Sequence, residues 1–257
     1  MSLCFISMGL SDEKDLSLRA IELAKDCDLL FVEFYTNKMN TTKEKLEQVI
    51  GRDIKILTRK EVEESNLLIK EAKDKKVGLL VGGDALCATT HLALKCEAEK
   101  NGIETIVIHG SSIFSAVAET GLHIYKFGQA VTIPFLEKLK NELPISVYEK
   151  VKENKKMGLH TLMLLDIVEE EKKYMNVREA CEILLKLENK MQQKVFTKDT
   201  EIIVFARAGS NDSQLFYGKF DKAINSSFGE PPFCIILPGS LHFTEKECLE
   251  MFRNDKR

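Results

Sequence analysis

The chain has 257 residues, 44% of them hydrophobic and 30% charged, and its 37 basic and 40 acidic side chains leave a net charge of −3. That length exceeds one typical domain and suits two of roughly 100–150 residues each. The balanced charge lacks the basic surplus that marks a nucleic-acid binder. No apolar run reaches the ~20 residues of a membrane span, and residues 1–10 carry no basic region ahead of their apolar run, so they read as a first strand and not as a signal peptide.

The first half alternates strand and helix signals. Residues 3–8 form a short apolar run that ends at Gly9. A helix follows, with Leu16, Ala20, Leu23, Ala24 and Cys27 on one face. A strand is expected at 29–34. Thr41 and Glu44 have the spacing of a capping box for a helix that stops near Gly51. Residues 54–57 read as a strand, 60–73 as a helix, and 77–81 as a near-continuous apolar strand ending in Gly82-Gly83-Asp84. A helix is expected from about 86 to 99, stopped by Asn101-Gly102. The strand at 105–108 ends in His109-Gly110-Ser111-Ser112, and a short helix runs to Glu119. Strands that are apolar on both faces, separated by helices, predict a parallel sheet with helices on both sides.

The pattern changes after Gly128. A strand at 131–134 precedes a lysine-rich linker or surface helix containing Pro144. Helices are expected at 147–156, 177–191 and 244–252, and strands at 161–167 and 202–208, with further apolar segments at 214–220 and 234–238. The reading is two domains: an N-terminal α/β domain over 1–129 and a smaller, mixed α/β C-terminal domain over 130–257.

Seven cysteines, at 4, 27, 87, 96, 181, 234 and 248, form neither a CxxC pair nor a zinc-type spacing. An odd set without a framework points to reduced thiols, no metal and a cytoplasmic home. None of the five histidines, His91, His109, His123, His160 and His242, is spaced like a metal-ligand pair, and each reads as structural. The lysine clusters at 70–76 and 150–156 read as solvated helix faces.

In open α/β sheets ligands bind beyond the carboxyl ends of the strands. That rule selects Met8-Gly9-Leu10, Gly82-Gly83-Asp84, Gly110-Ser111-Ser112-Ile113 and Ala206-Arg207-Ala208-Gly209-Ser210, each a glycine-containing turn after an apolar strand. Glycine lets backbone approach a ligand closely. Taken singly, Gly-Gly-Asp is an ordinary turn and Ser111-Ser112 an ordinary helix cap. GxGxxG, P-loop and GxSxG patterns are absent, which argues against a dinucleotide fingerprint, nucleotide hydrolysis and an α/β-hydrolase. The residues alone therefore reach an α/β protein with a small-molecule cleft between two domains.

Longer strings go further. Asp84-Ala85-Leu86-Cys87-Ala88-Thr89-Thr90-His91 resembles the GDPxxATTH segment of the diphthine synthases. Gly121-Leu122-His123-Ile124-Tyr125-Lys126-Phe127-Gly128 resembles their TGLxxYxFG segment. Gly158-Leu159-His160-Thr161-Leu162, with Leu164-Leu165-Asp166-Ile167, resembles their GxHTLxxLDI segment. Ala206-Arg207-Ala208-Gly209-Ser210, Phe228-Gly229-Glu230-Pro231-Pro232 and Glu33-Phe34-Tyr35-Thr36 fit as well, so the resemblance covers nearly the whole chain in order.

It implies a tetrapyrrole-methylase-like, two-domain methyltransferase, typically homodimeric, with S-adenosylmethionine in the interdomain cleft. The implied substrate is the aminocarboxypropyl group on a histidine of translation elongation factor two, with neither nucleic acid nor membrane involved. The implied cofactor contacts are Leu10, Asp84, Cys87, Ser112, Ile113, Leu165, Ala208 and Phe233. Three departures stand out: Ser7 in place of the first glycine of Gly-x-Gly-Leu, Ala85 in place of the proline after Asp84, and Phe233 where a histidine is common. No catalytic residue is assigned, because methyl transfer to an amine rests on alignment; Asp166 is the one carboxylate considered as a proton acceptor. The alternatives are a related tetrapyrrole or corrin-precursor methyltransferase and a non-catalytic α/β ligand-binding module.

Overall fold

The computed structural model describes residues 1–253. The chain divides into two compact units, Met1–Ala116 and Val117–Arg257. The division falls upstream of the change in pattern after Gly128 and makes the second unit the longer.

In the first unit, strand β1 (Ser2–Ser7) is followed by α1 (Leu18–Lys25), β2 (Leu29–Val32), α2 (Lys43–Ile50), β3 (Lys55–Ile56), α3 (Arg59–Glu63), α4 (Leu67–Ala72), β4 (Lys76–Val81), α5 (His91–Lys100), β5 (Glu104–Ile108) and α6 (Ile113–Ala116). The sheet order is β3-β2-β4-β1-β5, and every pairing is parallel. Phe5 lies opposite Leu79 and Val107, and Ile6 opposite Leu80 and Ile108. Successive strand residues face opposite sides. Leu3, Phe5, Val77, Leu79 and Val81 accordingly join one core with Leu68, Ala72, Leu94 and Ala98. Cys4, Ile6, Leu30, Val32 and Leu80 join another with Ala20, Ala24, Leu46 and Ile50. The apolar runs are apolar on both faces because helices cover both.

Three local expectations shift. The helix over 60–73 is two helices. Thr58 and Glu61 form a capping box on α3, and the Ser65 hydroxyl bonds back to the Glu61 carbonyl. Serine and asparagine side chains compete with helical backbone bonds, and the chain restarts after Asn66. The helix expected from 86 begins only at His91, because Ala88 sits at φ 57° and breaks the turn. The cap of α2 is Thr42, while Thr41 gives its hydroxyl to Glu13 at 2.7 Å.

The second unit contains β6 (Val131–Ile133), α7 (Ile145–Lys156), β7 (Thr161–Leu165), β8 (Ile167–Val168), β9 (Lys173–Tyr174), α8 (Val177–Met191), β10 (Glu201–Ala206), β11 (Gln214–Lys219), α9 (Phe220–Asn225), β12 (Phe233–Leu237) and α10 (Phe243–Glu250). Its sheet order is β11-β10-β12-β7-β6; only β6 and β7 run parallel. Val147, Tyr148 and Val151 of α7, Leu184 and Leu187 of α8, and Phe220 of α9 pack on Met163, Ile202, Val204 and Ile235 in one core. The strand expected over 161–167 is interrupted at Asp166. Its carboxylate accepts from the Phe135 and Ile167 N–H groups, both at 2.9 Å, and pulls the chain out of register before the β8–β9 hairpin.

Candidate functional site

In the first unit the turns after β1, β4 and β5 lock together. Gly9 and Gly83 exchange backbone hydrogen bonds of 3.1 and 2.7 Å, and both hold positive φ, 83° and 73°. A Cβ on Gly9 would lie 2.5 Å from the Asp15 Cβ; one on Gly110 would lie 2.7 Å from the Ser7 Cβ and 3.3 Å from the Gly83 carbonyl oxygen. At this edge, glycine is a steric requirement.

Asp84 organises the same edge and is only 5% exposed. Its Oδ1 accepts from the Leu86 N–H at 3.0 Å. Its Oδ2 accepts from the Gly110 N–H at 3.2 Å and pairs with His109 Nδ1 at 2.8 Å. Burial pushes the carboxyl pKa up, but those three bonds outweigh it and hold it below the ordinary aspartate value. An ionised carboxylate has about four acceptor positions, so capacity remains for another donor. The Cys87 thiol is exposed; partial desolvation and the neighbouring Asp84 charge raise its pKa, and Ser112 lies beside it. Ser112, just ahead of Ile113, is buried, and its Oγ accepts from the Phe114 N–H at 3.3 Å. Leu10, partly buried, follows Gly9. The structure thus places Leu10, Asp84, Cys87, Ser112 and Ile113 on the turns at the carboxyl end of one parallel sheet.

In the second unit Leu165, Ala208 and Phe233 sit at one end of the mixed sheet. Ala206 pairs with Phe233, and Leu164 with Cys234. The Arg207 N–H donates to the Pro232 carbonyl at 2.8 Å. Arg207 takes φ 50°, which ends β10, and its guanidinium donates to the Phe228, Glu230 and Asp212 carbonyls. One arginine therefore binds the segment around Ala208 to the segment leading into Phe233. Leu165 and Ala208 are each 8% exposed, and Phe233 is partly buried against the core.

Sequence reasoning passed over three groups. Arg207 was legible only as part of a string. Glu33 is fully buried with Oε1 unpartnered; a carboxylate closing an apolar strand was its visible signal. Glu245 is likewise fully buried and accepts from the His123 N–H at 2.9 Å, the His242 N–H at 2.7 Å, His160 Nε2 at 3.0 Å and Lys126 Nζ; nothing in its polar surroundings announced this. Both Asp166 oxygens accept, one from the Phe135 N–H and the other from the Ile167 N–H and Lys138 Nζ. Among the described residues no group of three or more His, Cys, Asp or Glu is arranged to hold a metal, and no helix is long and apolar enough to cross a membrane.

The sequence model of the tetrapyrrole (corrin/porphyrin) methylases matches residues 2–224, a span holding seven of the eight expected cofactor contacts. The chain belongs to that family and is a methyltransferase. Within it the chain belongs with the diphthine synthases. It is 46% identical over 252 residues to the diphthine synthase of Methanocaldococcus jannaschii, covering 96% of this chain and 97% of that one. It is 45% identical over 245 residues to that of Methanococcus aeolicus, covering 95% of each. A crystal structure of a diphthine synthase superposes with a TM-score of 0.89 at 35% identity, over 99% of this chain and 96% of that one.

Proposed function

We propose that the protein uses S-adenosylmethionine to methylate the amino group of the aminocarboxypropyl-histidine of translation elongation factor two, acting as a cytoplasmic homodimer. The observation that carries the reading is the full-length identity with diphthine synthases, 46% over 252 residues. The character of the strand-end residues supports it. Leu10, Asp84, Cys87, Ser112, Ile113, Leu165, Ala208 and Phe233 include an ionised carboxylate, a hydroxyl, a thiol and apolar surface, and no cation. That set suits a ligand with hydroxyls, a positive charge and a flat ring. It does not suit a polyphosphate.

When bound, S-adenosylmethionine supplies a methyl group on a positively charged sulfur, which departs as a neutral thioether and needs no acid. The chain's own work is then to bind and to aim. Asp84 has acceptor capacity for a donor from the ligand, and the Phe233 ring offers a face for a base. Holding two reactants in line can lower a barrier by roughly 7–11 kcal/mol. Exclusion of water around the target amine disfavours its ammonium form and frees the lone pair that attacks. Asp166 already accepts from two backbone N–H groups and Lys138, so a proton taken from the amine would weaken three structural bonds.

The test is methyl transfer from labelled S-adenosylmethionine to elongation factor two that carries the aminocarboxypropyl histidine, beside the same factor without it. Label on the first and none on the second is the expected result. Equal labelling of both would defeat the substrate assignment, and no calorimetric binding of S-adenosylmethionine at millimolar concentration would defeat the donor.

A further inference from the structure

Two of the three departures from the diphthine synthase strings touch each other. Ser7 ends β1 and Ala85 follows Asp84, 78 positions along the chain, yet the Ala85 N–H donates to Ser7 Oγ at 2.9 Å. Ser7 is 2% exposed and Ala85 is fully buried. The Ala85 carbonyl accepts from the Thr89 hydroxyl at 2.7 Å and lies 3.3 Å from His91 Nδ1. Side chains therefore hold both backbone polar groups of the residue after Asp84.

We infer that Ser7 is a positioning residue for Asp84, and that Ser7 and Ala85 work as a matched acceptor and donor. The inference rests on the reading of Asp84 as a contact to S-adenosylmethionine. A buried N–H needs an acceptor. Alanine at 85 presents one, and the serine hydroxyl at 7 receives it. Proline at 85 has no N–H, and its ring Cδ takes up the space of the missing hydrogen. With serine at 7, that carbon runs into the hydroxyl; with glycine at 7, the space is open. Serine with alanine and glycine with proline are each self-consistent. Glycine with alanine leaves a buried donor unmet, and serine with proline creates a clash. The first mismatch loosens the turn that aims the Asp84 carboxylate; the second displaces it.

The experiment is a double-mutant cycle of wild type, Ser7→Gly, Ala85→Pro and Ser7→Gly/Ala85→Pro. It reads melting temperature, the affinity for S-adenosylmethionine by calorimetry, and kcat at saturating donor. Leaving the donor unmet should weaken the affinity of Ser7→Gly about tenfold, with kcat at saturation little changed. Adding Ala85→Pro to that variant should restore affinity to within about twofold of wild type, whereas Ala85→Pro alone should lose binding. An Ala85→Pro protein that fails to fold while the double variant folds also supports the coupling. Wild-type affinity in Ser7→Gly, equal harm from Ala85→Pro on both backgrounds, or failure of both proline variants to fold would overturn it. A wild-type protein that does not bind S-adenosylmethionine would refute the donor assignment instead, and the melting temperatures of the cycle would still decide the coupling.

Discussion

Glu33 follows the last residue of β2, with its side chain fully buried. One oxygen accepts from the Thr36 N–H at 2.9 Å, and the other has no partner and lies 4.0 Å from His91 Nε2. Burial raises its pKa to about 7, against bonds from Thr36 that pull the other way; burial likewise lowers that of His91 to about 4. Raised above its unfolded value of 4.5, Glu33 favours the fold while protonated and progressively disfavours it between pH 4.5 and 7. Above pH 7 the penalty is about 3 kcal/mol on linkage. Glu33→Gln should therefore raise the urea midpoint at pH 8 by the equivalent of about 1–3 kcal/mol, and this gain should vanish by pH 4.5. A gain that is the same at both pH values would show that the charge is not its origin. Asp84 is the opposite case, a carboxylate stabilised by its bonds. Asp84→Asn should weaken S-adenosylmethionine binding by at least tenfold, and it should also cost about 1–3 kcal/mol in stability because Leu86, Gly110 and His109 lose a charged acceptor. Calorimetry and denaturant melts read the two effects separately, and unchanged affinity for the donor would remove Asp84 from the site. The sequence showed this residue as a strand-end carboxylate in a glycine turn, but not its bonds to the β5 turn, which come from residues 25 and 26 positions away.

Among the elements, those that follow from periodicity were legible and those set by one polar side chain were not. β1, β4 and α8 matched their hydrophobic patterns because each must fill a core on a fixed repeat. The break between α3 and α4, the late start of α5 and the interruption at Asp166 depend on single hydrogen bonds or a single positive φ, which no repeat encodes. Glu245 shows the same at larger reach. It caps α10 through the His242 N–H and meets His160 ahead of β7 and Lys126 in the turn before β6. His160 is held in one neutral tautomer, since Nδ1 accepts from the Gly239 N–H at 2.8 Å while Nε2 donates to Glu245; burial lowers its pKa. Burial raises the Glu245 pKa, but these donors outweigh it and hold it down at about 2. A depressed carboxylate contributes stability above its unfolded pKa and loses it as pH falls toward the folded one. Glu245→Gln should cost about 3–5 kcal/mol at pH 7, because it breaks a buried charged pairing from one side. The difference from wild type should shrink between pH 4.5 and 2. Equal melting temperatures at neutral pH would mean that the network is not holding α10.

For the molecule as a whole, the proposed reaction asks for alignment and not for acid–base chemistry, and three polar side chains of the two units, Asp84, Asp166 and His160, are each held in structural hydrogen bonds. Asp84 is bound to two N–H groups and a histidine. Asp166 is bound to two N–H groups and Lys138, and His160 has both ring nitrogens engaged. A proton on either carboxylate would weaken the charged bonds it now accepts, and a proton on His160 Nδ1 would break its bond from Gly239. A general acid–base group is worth typically 10²–10⁴-fold, and a protein that works by alignment should show no such step at any one side chain. In single turnover at saturating S-adenosylmethionine, Asp166→Asn and His160→Gln should slow methyl transfer to the amine by less than about tenfold. Whatever is lost should track weaker binding or a lower melting temperature. Asp166→Asn is the sharper probe, because the amide keeps the side chain's shape and one acceptor oxygen while removing any capacity to act as a base. A hundredfold loss in that variant, with donor affinity, affinity for elongation factor two and melting temperature unchanged, would make Asp166 the acceptor of the amine proton and refute the alignment account.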